Sequence, residues 1–221
     1  MSRTSSLKLG LALLMVALLA ACAQPAKQMD YTAFKHAHPR SILVLPPDNT
    51  TTDVNASNSV LSQMTMPLAE AGYYVIPVAV MEETFKQNGV TTAGDIQQTS
   101  PAKLREIFGA DAVLYSKITQ YGTQYRVLVS ATVVTASAKL VDLKSGEVLW
   151  QGAATANSEE GSNNGGGGLI GMLVTAAIKQ IANSLTDKSH DIAGITSYRL
   201  LHAGPPTGLL YGPRSPKYGT D

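Results

Sequence analysis

Four histidines, a run of glycines and one cysteine are the residues of this chain whose types could do chemistry. His36 and His38 form an i, i+2 pair. Two imidazoles alone do not make a zinc site, which wants three or four ligands. His190-Asp191 matches a dipeptide of some metal hydrolases, but no second His/Asp cluster supports it, and His202 lies near the C-terminus. These histidines read as solvated, with no metal. Gly166-Gly167-Gly168-Leu169-Ile170-Gly171 fits G-x-G-x-x-G and precedes a helical pattern, which could present free N–H groups to a phosphate. A dinucleotide site also needs a strand directly before the glycines and an acidic residue after the next strand. Here a long polar loop precedes them and no strand follows, so the run reads as a linker and no cofactor is expected. There is no G-x-S-x-G, no H-E-x-x-H and no nucleophile with an evident base. The acid pairs Glu82-Glu83 and Glu159-Glu160 read as solvated faces. The chain is expected not to be an enzyme.

The cysteine is more informative. Arg3 and Lys8 open the chain without an acid, and an apolar run follows from Leu9 to Ala21. A basic start and an apolar stretch of this length make a signal peptide, too short to span a bilayer comfortably. The run ends in Leu19-Ala20-Ala21-Cys22, and Cys22 is the only cysteine. Small residues before the cut suit a signal peptidase, and the arrangement resembles the lipobox of bacterial lipoproteins. That resemblance implies a diacylglyceryl group on the Cys22 thiol and a further acyl chain, such as palmitate, on the freed amine. One acyl chain anchors marginally, at roughly 0.8 kcal/mol per buried CH₂, and several chains hold firmly. Ala23 in place of aspartate favours the outer membrane, by the sorting rule of enteric bacteria. The periplasmic face is expected, with surface exposure left open.

Cleavage after Ala21 removes two bases and no acid, so 17 bases and 16 acids become 15 and 16. With a net charge near −1, nothing in the composition suggests nucleic acid or an anionic membrane surface as partner. About 200 residues remain, enough for one domain with a real core. A single, lipidated cysteine leaves no disulfide to help it.

Residues 22–40 read as a lipid tether. Ser41-Ile42-Leu43-Val44-Leu45, stopped by Pro46-Pro47, reads as a buried strand. Val60, Leu61, Met64 and Leu68 recur with helical spacing, capped by Ser57 or Asn58, with Pro67 expected to kink or split the helix. Tyr73–Ile76 is a second strand. Short helices follow at Val80–Gln87 and at Ala102–Phe108, the latter with Ser100 as N-cap, Pro101 at its first position and Gly109 as terminator. Asp111–Lys117 is a third strand. Residues 125–142 form a long strand, with Tyr125, Val127, Val129, Ala131 and Val133 on one face. Lys144-Ser145-Gly146 turns into its hairpin partner, Glu147–Thr155. After a glycine-dense loop, Ile170, Val174, Ala177, Ile178, Ile181 and Leu185 mark a helix. Residues 189–221, proline-bearing and without a period, are expected to lie extended. Their apolar side chains (Ile195, Tyr198, Leu200, Leu201, Leu209, Leu210, Tyr211) are expected to pack across the domain or across a second copy of it. The domain proper is 41–188. The fold class is α+β with α/β character: a single mixed sheet containing a long antiparallel hairpin, helices packed on it, and an extended C-terminal tail.

Two segments carry a resemblance. Gly109-Ala110-Asp111-Ala112-Val113-Leu114 resembles a segment of periplasmic lipoproteins related to the curli-secretion channel. Lys139-Leu140-Val141-Asp142-Leu143-Lys144-Ser145-Gly146-Glu147-Val148-Leu149-Trp150 is similar to their hairpin. Penicillin-binding-protein activator lipoproteins and the amino-terminal domain of the Tol translocation protein share this architecture. Ile42–Pro47, Met66–Val75 and Tyr211-Gly212-Pro213-Arg214 are similar to an uncharacterised proteobacterial lipoprotein family. The resemblance implies a non-enzymatic adaptor or accessory factor in envelope transport or assembly, working with envelope proteins such as a curli-channel-like lipoprotein. An activator of a peptidoglycan synthase and an unrecognised envelope hydrolase are the alternatives, and a homo-oligomer is left open. Trp150 is expected to be buried in the hairpin.

Overall fold

The computed structural model describes residues 29–125, 130–160 and 187–221. Its elements are α1 (Thr32–Ala37), β1 (Ser41–Val44), β2 (Asp48–Asn49), α2 (Ala56–Glu70), β3 (Tyr74–Val75), α3 (Val78–Gln87), α4 (Ala93–Gln97), α5 (Pro101–Phe108), β4 (Ala112–Tyr125), β5 (Ser130–Asp142), β6 (Val148–Asn157) and α6 (Lys188–Leu201). The strands form one mixed sheet in the order β3-β1-β4-β5-β6, with β2 paired to β4. β3, β1 and β4 run parallel. β4, β5 and β6 form the antiparallel meander. The α+β reading with a long hairpin therefore stands.

β1 is central and covered on both faces: Ile42, Leu43, Val44 and Leu45 are all buried. A strand of that environment reads as a continuous apolar run rather than an alternation. β5 alternates instead. Thr132, Val134, Ala136, Ala138 and Leu140 are buried, and the residues between them are open or half-open. Ala131 and Val133 thus share a face, but the partly exposed one. The buried face carries α6, whose Thr196 hydroxyl donates to the Val134 carbonyl at 3.2 Å. α2 lies beside α6 in the same direction, since Ser59 and Gln63 both meet His190 and Gln63 also lies beside Gly194. A bulge between Ile118 and Gln120 shifts the register and switches the inward residue from Ile118 to Tyr121, both buried.

The sequence-level elements hold with differences. Ser100, Pro101 and Gly109 cap and close α5 as expected, Gly109 at φ 62°. α2 starts at Ala56 and is not split at Pro67. Pro67 sits in the last turn, where only one carbonyl loses its donor, and it is buried. The third strand runs to Tyr125 rather than Lys117, and the long strand starts at Ser130. The polar stretch 119–124 pairs along β5, so pairing there overrides composition. β2 and α4 are too short to show a period.

Two expectations are corrected. Residues 22–40 are not all tether: Thr32–Ala37 is helical, with Phe34 buried. Residues 189–221 are not extended throughout, because Lys188–Leu201 is α6, N-capped by Asp187. Ile192, Ala193, Thr196, Ser197, Leu200 and Leu201 are its buried stripe. The four prolines, Pro205, Pro206, Pro213 and Pro216, all follow the helix. Averaging them over the whole segment hid the period. From His202 the chain does pack back on its own domain, with Leu209 and Leu210 buried. The helical pattern 169–185 lies outside the described residues.

Candidate functional site

Cys22 and the glycines 166–171 lie outside the described residues. His36 lies in the last turn of α1, and His38 caps the helix at φ 44°. The His38 ring meets the Tyr218 hydroxyl at 3.3 Å. His202 Nδ1 meets the Arg199 carbonyl at 2.8 Å. Among the described residues, no three His, Cys, Asp or Glu side chains gather as a metal site would require. Glu82 and Glu83 are exposed. Glu160 is not simply solvated: it pairs with Arg199 at 2.6 Å and accepts from Asn157, closing the end of β6.

One histidine read as solvated, His190, is half-buried and hydrogen-bonded. His190 has a serine against it. Ser59 Oγ lies 2.9 Å from His190 Nδ1, and Gln63 Nε2 lies 2.7 Å from Nε2. Tyr121 donates its hydroxyl to Ser59 Oγ at 2.8 Å. Residues 131 positions apart share no spacing that a sequence reader could use. A neutral imidazole donates from one nitrogen and accepts at the other. Gln63 Nε2–H faces Nε2, which therefore accepts, so Nδ1 carries the ring proton and donates to Ser59 Oγ. The four side chains bridge α2, α6 and β4 at the helix N-termini. Burial lifts the Tyr121 hydroxyl above its ordinary value, against the Ser59 hydrogen bond and with help from Asp187 and Asp53. Chemically the group can relay a proton or clamp two helices.

A second feature is the sheet face away from α2 and α6. Tyr115, Lys117, Ser137, Lys139 and Gln151, with Asp48 and Gln97, line a groove of about 410 Å³. Lys139 Nζ stands 5.1 Å from the Tyr115 ring centre, and Lys117 pairs with Asp48 at 3.3 Å. Gln97 reaches from α4 to the Pro46 and Ser116 carbonyls. The groove is polar-rimmed with an aromatic wall.

The third feature is the strap formed by residues 202–221 at the end of the sheet where β1, β3 and β4 begin. Tyr73 donates to the Leu210 carbonyl at 2.6 Å, Tyr31 to Gly208 at 2.6 Å and Trp150 to Thr207 at 2.9 Å. Gly212 packs on Gly72, and a side chain at either would overlap backbone of the other segment. Gly72 also needs its φ of 98°. Burial drives the Tyr73 hydroxyl far above its ordinary value, with Asp221 and Tyr218 adding.

The fold is a single α+β domain with helices packed on one mixed sheet, and the comparisons place it in a lipoprotein family. The chain belongs to the family described as "Putative lipoprotein GNA1162-like", whose model matches residues 29–214. It is 52% identical over 207 residues to "Putative lipoprotein NMB1124/NMB1162" of Neisseria meningitidis serogroup B, covering 93% of this chain and 94% of that one. It is similar to the crystal structure of lipoprotein GNA1162 from Neisseria meningitidis, with 56% identity and a TM-score of 0.54, over 66% of this chain and all of that one. The PelC dodecamer from Paraburkholderia phytofirmans is 16% identical, with a TM-score of 0.44, over 77% of this chain and 90% of that one. Among the described residues, no helix is long and apolar enough to cross a membrane.

Proposed function

We propose that this chain is an outer-membrane lipoprotein, acylated on Cys22, whose periplasmic domain is a non-enzymatic adaptor in envelope transport or assembly. One observation carries the anchor: Leu19-Ala20-Ala21 precedes the only cysteine in the chain, directly after a basic start and an apolar run. Membership of a lipoprotein family supports it. In this reading residues 1–21 are the signal peptide, and Ala23 directs the product to the outer membrane. The adaptor role draws support from the groove around Tyr115 and Lys139, a surface for an envelope protein, with a curli-channel-like lipoprotein as its partner. Labelled palmitate tests the anchor: the wild-type chain should incorporate it and Cys22→Ser should not. Absence of label in the wild type refutes acylation. Cross-linking in intact envelopes followed by recovery of the chain tests the partner. A peptidoglycan synthase recovered instead would reassign the role.

A second reading, an envelope hydrolase, has one observation behind it, the 2.9 Å contact of Ser59 with His190. Against it, Ser59 already accepts from Tyr121 and sits within a regular helix. A fluorophosphonate probe separates the two, since a hydrolase would be labelled at Ser59 and an adaptor would not.

A further inference from the structure

We infer that the end of the domain built from α1, Arg40, Tyr74 and the strap 211–221 docks on the anionic phospholipid headgroups of the bilayer that holds the anchor. The inference rests on the reading of Cys22 as the acylated residue. Its first support is reach. Met29 already packs on the core, seven residues after Cys22, so the connection spans at most about 25 Å. The chain enters the domain at the end where the parallel strands begin. Arg40 leads into β1 and accepts from the Tyr74 amide at 3.0 Å, and its own amide donates to Asp111 ahead of β4 at 3.0 Å. That end therefore faces the membrane.

The second support is what the end presents. The Arg40 side chain is 80% exposed, and Arg214 and Lys217 are exposed. Tyr74 and Tyr218 are the exposed aromatics beside them, at 44% and 47%. The Arg214 guanidinium stands 5.1 Å from the Tyr74 ring centre, Lys217 stands 5.4 Å from that of Tyr211, and Tyr218 reaches His38. Three of the acids nearby, Asp111, Asp142 and Asp221, are held by hydrogen bonds within the fold. Asp111 accepts from the Arg40 amide and from both Ser41 donors, and its carboxylate also lies 3.8 Å from Arg40 Nε. Asp142 is buried and accepts from Ser145. Asp221 accepts from the Tyr211 amide, and Lys35 donates to the Asp221 main-chain oxygen. Asp30, Glu70 and Glu147 stay exposed and oppose the contact. The long cationic side chains thus stand outermost, within a Debye length of about 10 Å at 0.1 M salt. Tyrosine and arginine together suit the headgroup layer. A whole-chain charge near −1 conceals this local arrangement.

The test uses the chain from Cys22 onward, which keeps every described residue. Its single thiol is coupled to a maleimide lipid in phosphatidylcholine vesicles, with or without about a third phosphatidylglycerol. Amide hydrogen exchange is read in peptides covering 30–40 and 211–221. Each cation near an anionic surface strengthens contact roughly fivefold. Exchange there should therefore slow several-fold with phosphatidylglycerol at 50 mM salt, and the slowing should vanish at 0.5 M. Arg214→Glu with Lys217→Glu, checked for folding by circular dichroism, should abolish it. Equal exchange on both vesicles, or slowing confined to 115–139, overturns the inference. Because the maleimide supplies the tether, the result is independent of natural acylation, which palmitate labelling tests separately.

Discussion

Trp150→Ala should destabilise the domain by about 3–5 kcal/mol. The indole is 2% exposed. A register shift between Leu140 and Val141 lets the consecutive residues Leu149 and Trp150 both turn inward, and both are buried. The ring lies against Gly152, where a Cβ would stand 2.5 Å from Cζ2 and 2.8 Å from Cη2, with Leu200 of α6 close by. A buried tryptophan removes about 150–250 Å² from water. At about 25 cal/mol per Å² that is roughly 4–6 kcal/mol. The alanine Cβ and residual burial in the unfolded chain reduce the difference. The lost hydrogen bond to Thr207 adds little, because Thr207 is exposed and water can replace the donor. Trp150 is the only tryptophan, so the variant has no indole signal, and far-UV circular dichroism must follow a urea titration. A domain of this size loses about 2–4 °C of Tm per kcal/mol. Trp150→Phe should fall between the two, separating ring burial from the indole N–H. A loss below about 1 kcal/mol at unchanged m-value would refute the burial argument.

Gly72→Ala should cost at least about 1–3 kcal/mol. Its Cβ would overlap the Ser215 amide and stand 2.7 Å from the Gly212 carbonyl, at a φ of 98°. Faster amide exchange in 208–221 should accompany the loss, and an unchanged strap would refute the close approach. Tyr73 supplies a pH dependence. Its hydroxyl is raised above the ordinary value by burial, so its contribution is intact below about pH 10, where the unfolded chain's tyrosine ionises, and is lost as pH rises beyond that. Stability of the wild type should fall above pH 10 more steeply than that of Tyr73→Phe. The variant's slope should not vanish, because burial also raises Tyr31, Tyr115 and Tyr121. Parallel slopes would refute the assignment. Ser59→Ala and His190→Ala should each destabilise, with a coupling energy of about 0.5–3 kcal/mol in a double-mutant cycle. Strict additivity would mean that the 2.9 Å contact clamps nothing.

The elements that read correctly from sequence are those whose signal is local. Ser100-Pro101 and Gly109 bracket α5 because N-cap, N1 and C′ each impose their own chemistry on a single residue. The run Ser41–Leu45 reads as a strand because residues buried on both faces are apolar without alternation. Other features depended on partners distant in the chain. The 119–124 stretch is a strand because β5 supplies its hydrogen bonds, which its polar side chains do not announce. α6 is a helix whose stripe matches a sheet face built some sixty residues earlier, Thr196 against Val134. The Ser59, Tyr121, Gln63 and His190 group exists only because α2, β4 and α6 converge. The segregation of Arg40, Arg214 and Lys217 at the tether end is likewise a product of topology: net charge is a sum over the chain, whereas a surface potential depends on where the fold places each charge.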